Sequence, residues 1–271
     1  MEDLHYDAHV HTDLSDGKDG IADNIRAGVI AGLECMAITD HNWISGLDIP
    51  EYVRAIREAE QGMPISVLAG VEATILDTEG RISLNAEAAG HLQIVLADFS
   101  GVTRGIAKDP PVTQWRLVEN VLAAIENAAA NPIVDAIAHP FNLGRWEAKL
   151  NPSSLPVPGL KRVAAAMVRH DVAFEIMNQM PWWYPEMTVA EFEGEYEQVL
   201  RIFADAGVKF LAGSDAHSCG AVGNLRWVQK MMAQADIGRS QLVNLRALGE
   251  LRLKKGRGVV TALHSGPPSA H

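Results

Sequence analysis

Two histidines one residue apart, His9-Val10-His11, are followed a short turn later by Ser15-Asp16-Gly17. If Tyr6 to His11 runs as a strand, alternate side chains share a side, and His9 and His11 project together. Two imidazoles with a carboxylate nearby suit a divalent metal: imidazole favours zinc, iron or nickel, and carboxylate favours manganese and other hard ions. One such pair also arises as half-buried surface histidines, but here the chemistry recurs. Met36-Ala37-Ile38-Thr39 ends in Asp40-His41-Asn42, and Val67-Leu68-Ala69-Gly70-Val71 ends in Glu72. Ile133 to Ala138 ends in His139-Pro140, and Phe210 to Ser214 ends in Asp215-Ala216-His217. In parallel α/β barrels the C-terminal ends of the strands converge on the active site. Histidines and acids at successive strand ends would therefore meet in space.

Asp215 and His217 repeat the spacing of His9 and His11, so one strand end can offer two ligands. Asp40, beside His41, points elsewhere and is expected to orient a histidine N–H. Glu175 is a buried-strand acid that needs a partner, either at the site or in a structural ion pair. His5, His170, His264 and His271 fall outside these motifs and are expected at the surface.

The frame for these residues follows from periodicity and punctuation. Strands are expected at Tyr6–Thr12, Cys35–Thr39, Ile65–Val71 (running on toward Leu76), His91–Phe99, Ile133–Ala138, Val172–Met177, Val208–Ala212 and Gly258–Leu263. A turn over Asp77–Gly80 should let Arg81–Leu84 pair back as a hairpin. Helices are expected at Ile21–Ala31, Glu51–Gln61, Trp115–Ala130, Leu160–Arg169, Glu191–Ala206, Val222–Ala235 and Ser240–Leu248, with a frayed tail from His264. Strands alternate with helices throughout, so the sheet should be mainly parallel. No composition shift marks a linker, and a single closed or nearly closed barrel of seven or eight strands fits the length. Two long loops, Asp98–Gln114 and Phe141–Gly159, follow strands and should lie on the rim that carries the histidines and acids.

Composition limits the function classes. The chain has 271 residues, 48% apolar and 21% charged, which suits a globular α/β protein. A net charge of -11 argues against stable nucleic-acid or anionic-membrane binding, though bound divalent ions can still admit a small phosphate ligand. Two cysteines, Cys35 and Cys219, imply no disulfide framework. The basic-then-apolar pattern of a signal peptide is missing, and no apolar run approaches the ~20 residues needed to span a membrane. A cytoplasmic setting is expected; oligomeric state is not legible.

Taken in order, His9-Val10-His11, Ser15-Asp16-Gly17, Thr39-Asp40-His41-Asn42, Gly70-Val71-Glu72, His139-Pro140 and Ser214-Asp215-Ala216-His217 resemble the motifs of the PHP (polymerase and histidinol phosphatase) superfamily. The resemblance covers about residues 5 to 263. It implies a distorted (β/α)7 barrel in a single domain, spanning 1–271 here, with two or three divalent ions (Zn, Mn or Fe). It implies that His9, His11, Glu72 and Asp215 hold one metal, and that Glu72 bridges to a second with His139 and His91. Asp16, His41 and His217 would hold the third.

The expected chemistry is hydrolysis of a phosphate ester of a small metabolite or nucleotide by a metal-activated hydroxide. Glu72 bridges the ions, and His217 or Asp16 assists departure of the leaving oxygen. Arg145, then Arg104, is expected to complete phosphate recognition with its guanidinium fork, and Asn42 is taken as a further substrate contact. Alternatives are a phosphodiesterase or 3′,5′-bisphosphate nucleotidase, a hydrolase of a non-phosphate bond, or a non-catalytic metal-binding module. Trp43, Trp146, Trp182, Trp183 and Tyr184 could stack a base in the second case, although such clusters are more often packing.

Overall fold

Two sets of side chains alternate along the strands, and they pack into two separate cores. A computed structural model describes residues 4–43, 46–147 and 149–254. Its strands are β1 (Tyr6–Asp7), β2 (Cys35–Ile38), β3 (His41–Asn42), β4 (Ser66–Ile75), β5 (Ile94–Phe99), β6 (Ala136–Ile137), β7 (Ala173–Met177) and β8 (Phe210–Gly213). They pair in parallel in the order β1-β2-β4-β5-β6-β7-β8, with the short β3 also on β4. The sheet then returns on itself: Ala8 N–H donates to Ala212 O (3.0 Å) and His11 N–H to Ala216 O (2.9 Å). The result is a nearly closed, distorted seven-stranded barrel, as expected.

The helices are α1 (Ile21–Ile30), α2 (Ile49–Glu60), α3 (Ala86–Ala89), α4 (Gln114–Ala129), α5 (Val157–His170), α6 (Val189–Asp205), α7 (Arg226–Gln234) and α8 (Leu245–Lys254). On β4, Val67, Ala69, Val71, Ala73 and Ile75 join the large core shared with the helices. The opposite parity faces the barrel axis, where Ala8, Ala37, Ala136, Ala138 and Ala173 keep the interior narrow. Leu245 of α8 joins this inner core and closes it from the N-terminal ends of the strands. Space for ligands is left at the C-terminal rim.

Several boundaries moved for local reasons. Helix α2 begins at Ile49 because Asp48 caps Glu51 N–H (3.2 Å) and Pro50 sits in the first turn, where its missing donor costs nothing. Helix α5 likewise begins at Val157, ahead of Pro158. Strand β3 was not foreseen. The hairpin after β4 narrows to a single bridge between Ile75 and Ile82. The segment Gly258–Leu263 and the tail from His264 lie outside the described residues. Among the described residues no helix is long and apolar enough to cross a membrane.

Strand β1 ends well short of the expected Thr12. The fully buried Asp7 carboxylate takes up N–H groups near this point: His9 (3.3 Å) and Ser214 (2.9 Å) on Oδ1, and Gly223 (2.8 Å) on Oδ2. One side chain thus ties β1, the end of β8 and the loop beyond it, and lets His9 and His11 both turn inward. Burial pushes the Asp7 carboxyl upward in pKa, and these donors pull it back. Replacing Asp7 by Ala leaves buried N–H groups unpaired. We expect a loss of about 2–4 kcal/mol and a melting temperature lower by roughly 5–15 °C; an unchanged thermal transition would contradict this role.

Candidate metal centre

The rim gathers His9, His11, Asp16, His41, Glu72, Asp98, His139, Asp215 and His217 around one point. Glu72, 1% exposed, stands at its middle. Its Oε2 lies 3.2 Å from His9 Nε2, 3.3 Å from His11 Nε2 and 3.2 Å from His41 Nδ1, and its Oε1 lies 2.9 Å from His139 Nε2. Asp215 Oδ1 faces His11 Nε2 at 3.1 Å and His9 Nε2 at 3.6 Å. Nearer the solvent, Asp16 meets His11 Nδ1 (3.5 Å), His41 Nε2 (3.6 Å) and His217 Nε2 (3.3 Å).

His9, the His139 backbone and the loop of Asp16 are held from behind. Glu175 Oε1 lies 2.8 Å from His9 Nδ1, while its Oε2 accepts the His139 backbone N–H at 2.7 Å. Gly213 makes room for this carboxylate: a Cβ there would collide with Glu175 Oε1 and stand 2.7 Å from His9 Cβ. His139 (φ 28°) and Asp215 (φ 54°) adopt left-handed backbone that non-glycine residues seldom take, so the site is held under strain by its surroundings. Asp40 does something other than orient a histidine. It accepts from Thr12 N–H (2.7 Å), Thr12 Oγ1 (2.8 Å) and Ser15 Oγ (2.6 Å), and so fixes the loop that carries Asp16.

Comparison with known proteins settles the lineage. Residues 7–213 match the PHP domain family. The chain belongs to the PHP family. It is 29% identical over 251 residues to a probable phosphatase of Caldanaerobacter subterraneus, covering 88% of this chain and 86% of that protein. A probable phosphatase of Thermoanaerobacter sp. is 28% identical, over 88% and 89% of the two chains. In fold, the PHP barrel is similar to a histidinol phosphate phosphatase from Lactococcus lactis solved with zinc, L-histidinol and phosphate. The TM-score is 0.64 at 15% identity, over 86% of this chain and 94% of that one.

The donor set of this PHP domain fits divalent ions. His9 Nε2 and His11 Nε2 lie only 2.9 Å apart, two ring nitrogens aimed at common ground. Ligands around an ion at 2.0–2.2 Å stand about 3.0–3.6 Å from one another, the spacing seen around Glu72 and Asp215. Asp98 Oδ1 and His139 Nδ1 are buried without hydrogen-bond partners. Histidines and acids group within 4.8 Å as His9–His11–Asp215, His11–Asp16–His41 and His41–Glu72–Asp98. Without ions, protons balance the charge. Hydrogen bonding to Asp16 raises His217 to about 9. His139 also reaches about 9, because Glu72 outweighs the cost of burial. Burial and the Glu72 charge lift Asp98 to about 7. Burial opposes it, but His9 and His11 hold Asp215 at about 2, and His217 and His41 likewise hold Asp16 far below the usual carboxylate range.

Four expected site residues are not brought here. His91 precedes β5, whose opposite end carries Asp98, about 20 Å further along the chain by strand rise. It joins none of the metal-suited groups, and Asp98 occupies the end of β5 instead. Parity was the missed signal: Ile94 and Leu96 face the barrel axis, so Asp98 does too, whereas Val95 and Ala97 face the helices. Asn42 is occupied structurally, donating to Ser83 O (3.1 Å) and accepting Leu47 N–H (3.2 Å). Arg104 is exposed and lines a separate crevice with Asp77 and Arg81. Arg145 lies over Trp182, 3.6 Å from its ring centroid, with Nε donating to Trp182 O (2.6 Å). It braces the wall of the cavity and does not line it.

The cavity over the cluster encloses about 530 Å³ between the acids and histidines and a group of indoles. Among the described residues that line it there is no lysine or arginine.

We expect Glu175→Gln to weaken metal binding by about 10–100-fold with the fold retained, read by competition with a chelating dye; unchanged affinity would detach Glu175 from His9. Because His139 and His217 hold protons to about pH 9, metal binding must release them. Apparent affinity should therefore rise from pH 6.5 to 9, with buffer-dependent heat in calorimetry. The same raised values stabilise the metal-free fold below pH 6.5, and that stability should fall away as pH rises through 9. A flat pH response of both quantities would contradict the protonated cluster.

Proposed function

We propose that this PHP-family hydrolase releases phosphate from a small phosphomonoester at a centre of two or three divalent ions. The observation that carries the reading is the position of Glu72, whose two oxygens face separate sets of imidazoles. One ion would take His9, His11, Asp215 and Glu72. A second would take Glu72, His139 and Asp98, the last in the place first given to His91. A third would take Asp16, His41 and His217. Mixed imidazole and carboxylate shells of this kind accept zinc, manganese or iron. Bound ions there supply Lewis acidity toward phosphoryl oxygens and lower the pKa of a water toward 7.

The chain's own residues supply the rest. Glu175 holds His9, and Asp40 holds the Asp16 loop. With no Lys or Arg in the described lining, phosphate charge falls to the ions and the histidines, which ties activity to metal. The same feature supports a monoester over a 3′,5′-bisphosphate, whose second phosphate meets no lysine or arginine among the described residues that line the cavity. If only two ions bind, His217 Nε2 keeps the proton it shares with Asp16 Oδ2 and can pass it to the leaving oxygen. If three bind, that pair becomes a ligand set. Both cysteines are free, in keeping with the cytoplasmic setting that forms part of this proposal.

The test is phosphate release from monoesters, diesters and 3′,5′-bisphosphates by protein loaded with manganese or zinc. Monoesters should turn over, and His9→Ala should reduce the rate to background. Turnover of diesters or bisphosphates alone, or a His9→Ala variant as active as the parent, would overturn the reading.

A further inference from the structure

Four of the chain's six tryptophans line the cavity above the cluster of histidines and acids: Trp43, Trp146, Trp182 and Trp183. They form two walls, and each wall begins on a histidine of the cluster. Trp43 lies flat on His41, with ring centroids 4.9 Å apart and planes 19° from parallel. On the His139 side of the same lining, Trp183 packs against His139 (6.0 Å) and stacks with Trp146 (6.2 Å, 24°). Trp182 meets Trp183 edge-on at 5.2 Å, with Arg145 over its ring.

These indoles are more than core packing. Trp43 is 43% exposed and Trp182 56% exposed, although each packs against a partly buried ring, His41 and Trp183 respectively. Large aromatic surface left open in a cleft is what a ligand covers. The wall is also braced: Trp146 Nε1 donates to Asn142 O (2.9 Å), and Arg145 grips Trp182 by its ring and its carbonyl. A rigid, pre-formed aromatic slot costs a planar guest little ordering entropy.

We infer that the alcohol part of the substrate carries a planar aromatic or heteroaromatic ring, seated between Trp43 and the Trp146–Trp183 pair. This rests on the phosphatase reading and names its substrate class. With the phosphate at the cluster, the esterified group must leave between walls that both start there. A quaternary ammonium guest fits less well: Arg145 already occupies the Trp182 ring, and a second cation would sit beside the divalent ions. Gln179, whose side-chain amide makes no hydrogen bond among the described residues, lies in the same lining and can meet a heteroatom on the ring edge.

The test compares 2-phenylethyl phosphate with 2-cyclohexylethyl phosphate on metal-loaded protein, with phosphocholine alongside. The two ring esters share a linker and differ in planarity. We expect kcat/KM to favour the phenyl ester by about 5–20-fold, the size of a stacking preference. Trp43→Ala should pull that ratio toward one, and Trp43→Phe should restore it. Because Trp43 rests on His41, the ratio in the unsubstituted protein decides the matter if Trp43→Ala loses metal. A ratio near one with both esters turned over, or phosphocholine preferred to both, would overturn the ring subsite and leave the phosphatase reading intact. If no ester turns over, the phosphatase reading fails. The subsite is then decided by saturable quenching of tryptophan fluorescence with adenosine: quenching lost in Trp43→Ala supports it, and none at all overturns it.

Discussion

A carboxylate buried among imidazoles is the constraint on which the rest of this structure turns. An isolated charge in the position of Glu72 would cost several kcal/mol. It is tolerated because four histidines from three different strand ends face it. Either protons on those rings or bound cations must supply the balancing charge, and the Glu72 carboxylate raises His139 in the direction that lets a proton do so. The cluster is therefore a place where charge has been concentrated in advance. A divalent ion there exchanges one form of compensation for another.

Barrel geometry delivers those groups. Alanines on the inward parity bring the strands close, and Gly213 gives up its side chain so that Glu175 can stand behind His9. Asp7 gathers backbone donors where the barrel closes, and the left-handed turns at His139 and Asp215 aim ligands that a regular strand would send elsewhere. Helix α8 seals the far end of the interior, leaving the C-terminal rim as the open side.

Much of this was legible before any coordinates. The alternation of apolar runs with amphipathic stretches led to the parallel barrel, and the PHP motifs led to the family. The His-x-His pair, Glu72, His139 and the Asp-x-His pair stand at strand ends that the fold brings together. Where the sequence misled, the cause was local. His91 was carried over from the family resemblance although it begins its strand, while the parity of Ile94, Leu96 and Asp98 already pointed to the acid. Arg145 and Arg104 were chosen for the match of a guanidinium fork to phosphate, but one stacks on Trp182, the other lines a separate crevice, and neither lines the cavity over the cluster. Asp40 was placed behind a histidine because the two are adjacent, whereas its oxygens face the Thr12–Ser15 turn. Tertiary hydrogen bonding of this kind leaves no mark on periodicity.

The central claim is that Glu72 and Asp98 share a set of bound ions with the histidines. Anomalous diffraction from a crystal grown with manganese or zinc tests it most directly. The account predicts anomalous peaks on both sides of Glu72, at about 2.0–2.3 Å from its oxygens, with Asp98 bound to one of them. Peaks that leave Glu72 and Asp98 uncoordinated, or an ion held at His91, would contradict it.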